Sequence, residues 1–153
     1  MNWMSRHAPA LEAVAATVTA LVAVAALIGV KFQLDEADRI QKAQSAREAY
    51  RAHLALAATL PQFALPKDAC QLIQSDQAGA YTAFVDHLLY SAEQMLEVSD
   101  GWEETFLTEL AVHSDYICAA GGPLGETEDT ARLISRFKGR SCPELSTCQD
   151  ARE

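Results

Sequence analysis

The sequence lacks charge over one long stretch near its start. Eighteen consecutive residues from Ala13 to Val30 carry no charged side chain, and Lys31 closes the run. At 1.5 Å of rise per residue, a helix of this length covers about 27 Å, close to the roughly 30 Å hydrocarbon core of a bilayer. A helix of a soluble core rarely runs so far without a polar face. The run therefore predicts a transmembrane helix at residues 10–32, after an N-terminal tail at residues 1–9.

A cleaved secretory signal is the alternative for this segment. Arg6 would supply the positive start of such a signal, and Ala23-Val24-Ala25 has the small-x-small form that a signal peptidase accepts. Leu27 and Ile28 continue the apolar run beyond that site. This continuation favours an anchor that stays in the bilayer.

The cations near the run bear on its orientation, because short positive flanks stay in the cytoplasm. Arg6 and the terminal amine precede the run. A larger set follows it: Lys31, Arg39, Lys42, Arg47 and Arg51. The count predicts a single-pass protein of the cell inner membrane with a cytoplasmic C-terminal domain.

Glycine and proline are absent between Lys31 and Leu60, and no segment alternates as a strand would. We therefore expect an all-α protein: the transmembrane helix continues into a helical stalk at residues 33–60, and a small antiparallel helical bundle follows at residues 61–140. The bundle includes part of the stalk. A cysteine-containing flexible tail is expected at residues 141–153.

Apolar spacing places the bundle helices. The strongest pattern, at i, i+3, i+4 and i+7, is formed by Tyr81, Phe84, Val85, Leu88, Leu89, Ala92, Met95 and Leu96. A second long helix is predicted from Trp102 to Ile117, with Ser99 or Asp100 as its cap, and a last one from about Thr127 to Lys138. A short helical turn is expected at Lys67 to Gln74.

Cations are scarce in the middle of the chain. From Ala52 through Ala131 the only one is Lys67, against thirteen acidic residues. Nucleic acid is excluded as a partner, because its phosphates require clustered lysine and arginine. The last helix reverses the sign with Arg132, Arg136, Lys138 and Arg140. These cations either dock against the acidic bundle, which we favour, or lie on anionic lipid headgroups.

Four cysteines are present, and no Cys-x-x-Cys motif occurs. Free thiols in a reducing cytosol are the favoured interpretation, and two disulfides in an oxidising compartment are the alternative. If the domain is exported, we expect Cys142 to pair with Cys148 and Cys70 with Cys118.

Motifs for catalysis and metal binding are also lacking: there is no Gly-rich phosphate loop and no His-Glu-x-x-His. The sequence predicts no enzyme, no cofactor and no metal site. Glu109 and His113 lie one helical turn apart, so with His87 and Cys118 they are weak metal candidates. Cys70 or Cys118 with a histidine as base is an equally weak nucleophile hypothesis.

Three segments carry a resemblance: Ala46-Arg47-Glu48-Ala49-Tyr50 with Leu54 and Leu56, the proline-bounded loop that follows, and His113 to Cys118. Between Leu34 and Cys118 the chain resembles a loose set of bacterial single-span proteins with a small helical domain of unknown function. The resemblance implies an anchored helical module and no catalytic residue.

The expected function is that of a membrane-anchored interaction protein, such as an accessory, assembly or sensor subunit. Its partners would be the lipid bilayer and another membrane protein or a second copy of itself. The partner contacts would come from a small-residue face of the membrane helix and an apolar stripe of the stalk: Ala16, Ala20, Ala23, Ile40, Tyr50 and Leu54. The alternative is a tethered domain that binds a small ligand or metal between its two central helices, near His87 and His113.

Overall fold

The computed structural model describes residues 3–119, 121–142 and 148. For residues 3–11 it describes the backbone. The described part of the chain is all-helical, as predicted, and contains no strand. Its seven helices are α1 (Trp3–Thr59), α2 (Pro61–Ala64), α3 (Ala69–Ile73), α4 (Ala78–Val98), α5 (Glu103–Ala111), α6 (Ser114–Ile117) and α7 (Glu128–Ser141). The rest of the predicted tail at residues 141–153 lies outside the described residues.

The chain divides into two compact units, residues 1–41 and residues 42–153. In the first unit, α1 is long and apolar enough to cross a membrane, and none of its most apolar 18-residue window is buried. Length and composition alone support this assignment, and a signal sequence would satisfy them equally well. The predicted N-terminal apolar helix is therefore present.

The second unit has one hydrophobic core, and α4 contributes more of it than any other helix. Seven of the eight residues in the predicted α4 pattern are buried, and Leu96 packs at the margin. The other helices contribute Ala46 from α1, Phe106 and Leu110 from α5, and Leu133, Ile134 and Phe137 from α7. Burying a large apolar side chain stabilises a fold by about 1.5–3 kcal/mol, so the α4 face is the largest contribution of one helix to this core.

The predicted helix from Trp102 to Ile117 is interrupted, which corrects the sequence interpretation. α5 ends at Ala111 and α6 begins at Ser114. At the break, the backbone N–H of His113 donates to the carbonyl of Leu110 at 2.9 Å, a tighter i→i−3 bond that ends α5. The imidazole of His113 is buried beside Tyr81, and packing there decides against one regular helix.

The helix ends also differ in detail from the expected ones. Ser99 ends α4, and α5 begins after Trp102 without a side-chain cap, because Gly101 with φ of 89° turns the chain between them. At α7 the side chains of Thr127 and Thr130 form a reciprocal capping box. α7 continues past Gly139, its expected end, to Ser141.

Candidate functional site

All four cysteines are paired, in a pattern that the sequence did not predict. The disulfides join Cys70 to Cys148 and Cys118 to Cys142, with Cα–Cα distances of 5.0 and 5.4 Å. Both the free-thiol prediction and the predicted pairs Cys142–Cys148 and Cys70–Cys118 are therefore wrong. Because α6 packs against α7, Cys118 at the end of α6 meets Cys142 at the end of α7, and nearness in sequence did not decide the partner.

Three histidines from different elements gather in the second unit. His53 comes from α1, His87 from α4, and His113 from the break between α5 and α6. His53 is 5% exposed and His113 is 3% exposed. The rings of His53 and His87 stack with centroids 5.7 Å apart, and the ring of Phe84 lies 4.9 Å from that of His53. We refer to these three residues as the histidine cluster.

The hydrogen bonding of the histidine cluster is incomplete. His113 Nδ1 lies 3.0 Å from the hydroxyl of Tyr81. The Nδ1 atoms of His53 and His87 are buried and have no partner among the described residues. A buried polar atom without a partner costs about 1–3 kcal/mol, so these two nitrogens reduce the stability of the fold.

Burial also determines the charge of His53 and His113. It lowers the pKa of His53 to about 4, with a further contribution from His87. It lowers the pKa of His113 to about 4 in the same way, with a further contribution from His53. Both imidazoles are therefore neutral at pH 7, and a proton on either one would place a charge among apolar side chains.

A second polar contact links α1 to α5. The hydroxyl of Tyr50 donates to the carboxylate of Glu109, while its ring packs edge-on against Trp102 and Phe106, at 5.3 and 5.7 Å between centroids. Burial and the neighbouring carboxylate raise the pKa of Tyr50 to about 12. Tyr50 is thus engaged within its own unit.

The other expected partner contacts are exposed. Ile40 and Leu54 are each 47% exposed, and Ala16, Ala20 and Ala23 face outward from α1. A surface of this kind is open to a partner.

The cations of α7 are paired within the protein. Arg136 and Arg140 bind Glu103 and Glu104 of α5, Arg132 binds Glu128 and Asp129, and Lys138 donates to the carbonyl of Pro123 at 3.3 Å. Arg136 and Arg140 thus contact the acidic α5, as the favoured interpretation expects, whereas Arg132 pairs with acids of its own helix. The alternative contact with lipid would compete with these bonds.

No metal site forms within the described residues, where no three His, Cys, Asp or Glu side chains come together as ligands. The weak candidates have other partners: Glu109 holds Tyr50, His113 faces Tyr81, and Cys118 is in a disulfide. His87 lines a groove instead. The disulfides also remove the thiols on which the nucleophile hypothesis depended.

Two cavities adjoin the histidine cluster. A groove of about 600 Å³ lies between α4 and the segment before α7, and its lining includes Asp86, His87, Tyr90, Glu93, Leu124 and Glu126. Burial and the charge of Glu126 raise the pKa of Asp86. A smaller cavity of about 200 Å³ is lined by His53, His113, Glu109 and apolar side chains, among them the exposed Leu54 and Leu65.

Comparison with known proteins adds no relative: no protein-family model, no curated protein and no solved structure matches this chain. The functional argument therefore depends on the geometry of the described residues.

His53 was missed at the sequence level, although a signal was present. Ala46, Tyr50, His53 and Ala57 follow one another at spacings of four, three and four, which places them on one face of α1. All four belong to the buried or partly buried side of the helix. A histidine within such a stripe is a candidate for burial.

Proposed function

We propose that the protein is a single-pass inner-membrane protein whose helical domain acts through contacts with another membrane protein or a second copy of itself. The observation that carries the proposal is the apolar part of α1, none of which is buried. Leu27 and Phe32, for example, are each 71% exposed. Apolar surface of this extent is unfavourable in water and favourable in lipid.

In this proposal residues 33–60 form a helical stalk and residues 61–140 an antiparallel bundle. Two observations support it. α1 has no break between Trp3 and Thr59, and its residues Ala46, Tyr50 and Ala57 share a core with α4 and α5. The anchor and the folded domain would thus be joined by a continuous helix.

The two disulfides favour a domain on the oxidising side of the membrane, opposite to the side expected from the cation count. Disulfides persist in exported domains and are reduced in the cytosol. The cation count is a weak guide here, because long domains are translocated largely regardless of their charge. We therefore place the N-terminal tail, residues 1–9, in the cytoplasm and residues 42–153 outside it.

The side of the membrane can be tested by thiol labelling in intact cells. An impermeant maleimide should label the cysteines only after an impermeant reductant is added, because the pairs Cys70–Cys148 and Cys118–Cys142 would be intact and outside. A matched variant with a single added cysteine, Ser5→Cys, should stay unlabelled until the cells are opened. Labelling of Ser5→Cys in intact cells, or protection of the native cysteines before and after reduction, would contradict this orientation.

The anchor itself is tested by extraction and by the mature N-terminus. Alkaline carbonate should leave the protein in the membrane pellet. N-terminal sequencing of the mature protein should find a first residue that precedes Ala23, because no signal has been removed. A soluble protein that begins at Ala26 would show that the apolar run is a cleaved signal, and the anchored function would then be wrong.

Partner contact through the small-residue face can be tested with one substitution and one control. Ala20→Leu places a bulky side chain on the face formed by Ala16, Ala20 and Ala23, so a second helix can no longer approach closely. Co-purification or cross-linking of the partner in mild detergent should therefore weaken several-fold. Ala25→Leu makes the same change on the opposite side of the helix, at 100° per residue. Equal effects of the two variants, or a monodisperse monomer with nothing bound, would count against the proposal.

The groove beside His87 favours a second candidate function, a tethered domain that binds a small organic cation. Its volume of about 600 Å³ is within the range of ligand sites. Asp86, Glu93 and Glu126 supply negative charge, and none of them is in an ion pair with a described residue. Tyr90, which is 51% exposed, offers an aromatic face on which a cation can lie.

Calorimetric titration of the full chain in detergent with spermidine and with benzylamine tests this candidate. Saturable binding should be lost in Asp86→Asn with Glu126→Gln and kept in Asp76→Asn, a matched change outside the groove. Binding that the groove variants leave unchanged would exclude the groove as the site.

A further inference from the structure

The disulfides and the histidine cluster divide the second unit into a cross-linked part and a part held without covalent links. Both bridges lie within residues 70–148, and no cysteine precedes Cys70. They connect α3 to Cys148 and the end of α6 to the end of α7. Residues 42–59 of α1 are therefore attached by noncovalent contacts alone, apart from the chain connection at Leu60.

These contacts combine apolar packing, in which Ala46 is fully buried, with a few polar bonds. Lys42 binds Glu97 at 3.1 Å with both side chains more than half exposed, and the hydroxyl of Ser91 donates to the carbonyl of Ala49 at 3.3 Å. Tyr50 binds Glu109 and contacts Trp102. An exposed ion pair contributes little, about 0–1 kcal/mol. Ring packing of Tyr50 and His53, together with the burial of Ala46, is therefore the main attachment.

His53 is the residue of α1 that meets the histidine cluster. Its ring lies between Phe84 and His87 of α4, and it shares a cavity with His113. His53 and His113 are buried, so protons on both rings would repel each other with little screening by water. The attachment of α1 thus depends on His53 and His113 staying neutral.

We propose that the histidine cluster is an acid-sensitive latch, whose protonation releases residues 42–59 of α1 from the disulfide-linked helices. Release separates His53 from His87 and His113, and gives the imidazolium groups access to water. The cross-linked helices keep their fold, because neither bridge involves α1. The exposed product is an apolar surface that includes Phe84 and Trp102.

Charged groups lie near the histidine cluster on several of the elements that pack around it. Glu109 of α5 is the carboxylate that lines the cavity of His53 and His113, and it already accepts the hydroxyl of Tyr50. On α6, Asp115 and Tyr116 act on Tyr81, the partner of His113. On α4 and the segment before α7, Asp86, Glu93 and Glu126 share the groove of His87, and α2 contributes the apolar Ala64 to the cavity.

Burial dominates over these carboxylates. The pKa values of His53 and His113 are lowered to about 4, and desolvation is the largest cause for each ring. Protons therefore bind more readily to the released state than to the latched state, and acidification favours release.

An acid titration of the full chain in detergent, with both disulfides intact, tests the latch. Trp102 reports on it, because its ring lies 5.3 Å from that of Tyr50, and Trp3→Phe removes the other tryptophan. Between pH 7.5 and 3.5 the fluorescence should change in one transition that takes up more than one proton. Hydrogen exchange should show residues 42–59 losing protection at a higher pH than α4 and α7.

Substitutions distinguish the histidines from the carboxylates. His53→Phe and His113→Gln should each lower the transition midpoint by at least about half a pH unit, since each removes a proton that favours release. His7→Gln, the histidine outside the cluster, should leave the midpoint unchanged. Midpoints that neither cluster variant moves, or a simultaneous loss of protection in all helices, would overturn the proposal.

A measurement on the native sequence covers the case in which a cluster variant fails to fold. In NMR spectra the ring protons of His53 and His113 should change only in the acid transition that Trp102 reports. Titration of these two rings near the ordinary pKa of about 6.5, with no change in Trp102, would also overturn the latch.

Discussion

A single hydroxyl separates the hydrogen bonding of His113 from that of the other two cluster histidines. Tyr81 reaches His113 Nδ1 at 3.0 Å, whereas the corresponding atoms of His53 and His87 have no described partner. Burial, Tyr116 and Asp115 also raise the pKa of Tyr81, so it keeps its proton at any ordinary pH. Of the three Nδ1 atoms in the histidine cluster, one therefore has a hydrogen-bond partner, and two have none among the described residues.

Removing the hydroxyl should be costly at this position. We expect Tyr81→Phe to lower the free energy of unfolding by about 1–3 kcal/mol, because it leaves His113 Nδ1 buried without a partner. Tyr90→Phe is the matched control: its side chain is 51% exposed, and the change should stay within about 0.5 kcal/mol. Urea unfolding of both variants at pH 7 gives the comparison, and equal losses would show that the contact contributes nothing specific.

The same residues predict how stability depends on pH. The pKa values of His53 and His113 are about 4 in the folded protein, against about 6.5 for an ordinary histidine. Between these values the unfolded chain binds more protons, so the stability that their neutral forms provide is present above pH 6.5 and is lost as the pH falls toward 4. Each residue contributes on the order of 3 kcal/mol to the loss. Urea midpoints that are equal at pH 7 and pH 5 would contradict this.

At the scale of the elements, the segment between α6 and α7 depends on two glycines. Gly125 has φ of +84°, and a Cβ there would lie 2.4 Å from the backbone nitrogen of Ala131. At Gly122 a Cβ would lie 2.5 Å from the carbonyl oxygen of Tyr116. These close approaches fix the path of the chain over α4, where it forms one wall of the groove beside His87.

Gly125 and Gly139 should respond in opposite directions to alanine. Gly125→Ala should destabilise the protein by more than the 1–3 kcal/mol typical of a positive φ, since the clash adds to the strain. Gly139→Ala, inside α7 with nothing within 4 Å of the new Cβ, should stabilise it by about 0.5–1 kcal/mol. Thermal or urea unfolding measures the change in stability of each variant. A change of the same sign in both would contradict the different roles given to Gly125 and Gly139.

How far the sequence determines these elements depends on whether the interaction is local. The α4 face could be predicted from Tyr81 to Met95, because a 3.6-residue period reflects one buried side. The break at His113 could not, since it depends on the tertiary contact with Tyr81. The pairing of Cys118 with Cys142 likewise depends on the packing of α6 on α7, whereas the sequence shows only that Cys142 and Cys148 are close along the chain.

For the whole molecule, the two disulfides differ in the length of chain they close. Cys70 and Cys148 are 78 residues apart, and Cys118 and Cys142 are 24 apart. The loss of chain entropy in the unfolded state grows with this length, and gives about 4.5 and about 3.5 kcal/mol for the two bridges. The longer bridge should therefore stabilise the domain more.

Paired alanine variants test this order. Cys70→Ala with Cys148→Ala should lower the free energy of unfolding by about 1 kcal/mol more than Cys118→Ala with Cys142→Ala. Urea unfolding of the full chain in detergent, without reductant, measures both losses. The reverse order would mean that contacts in the folded state, and not the unfolded chain, determine the contribution of each bridge.

The bridge between Cys118 and Cys142 encloses the glycine-containing segment that leads into α7. A protease that cuts once in residues 121–127 would therefore not release a fragment. The nicked protein should migrate as one band of full mass in a non-reducing gel and separate into two pieces after dithiothreitol is added. The enclosed segment can thus be cleaved, or opened for insertion of a tag, while the two halves of the polypeptide remain tethered.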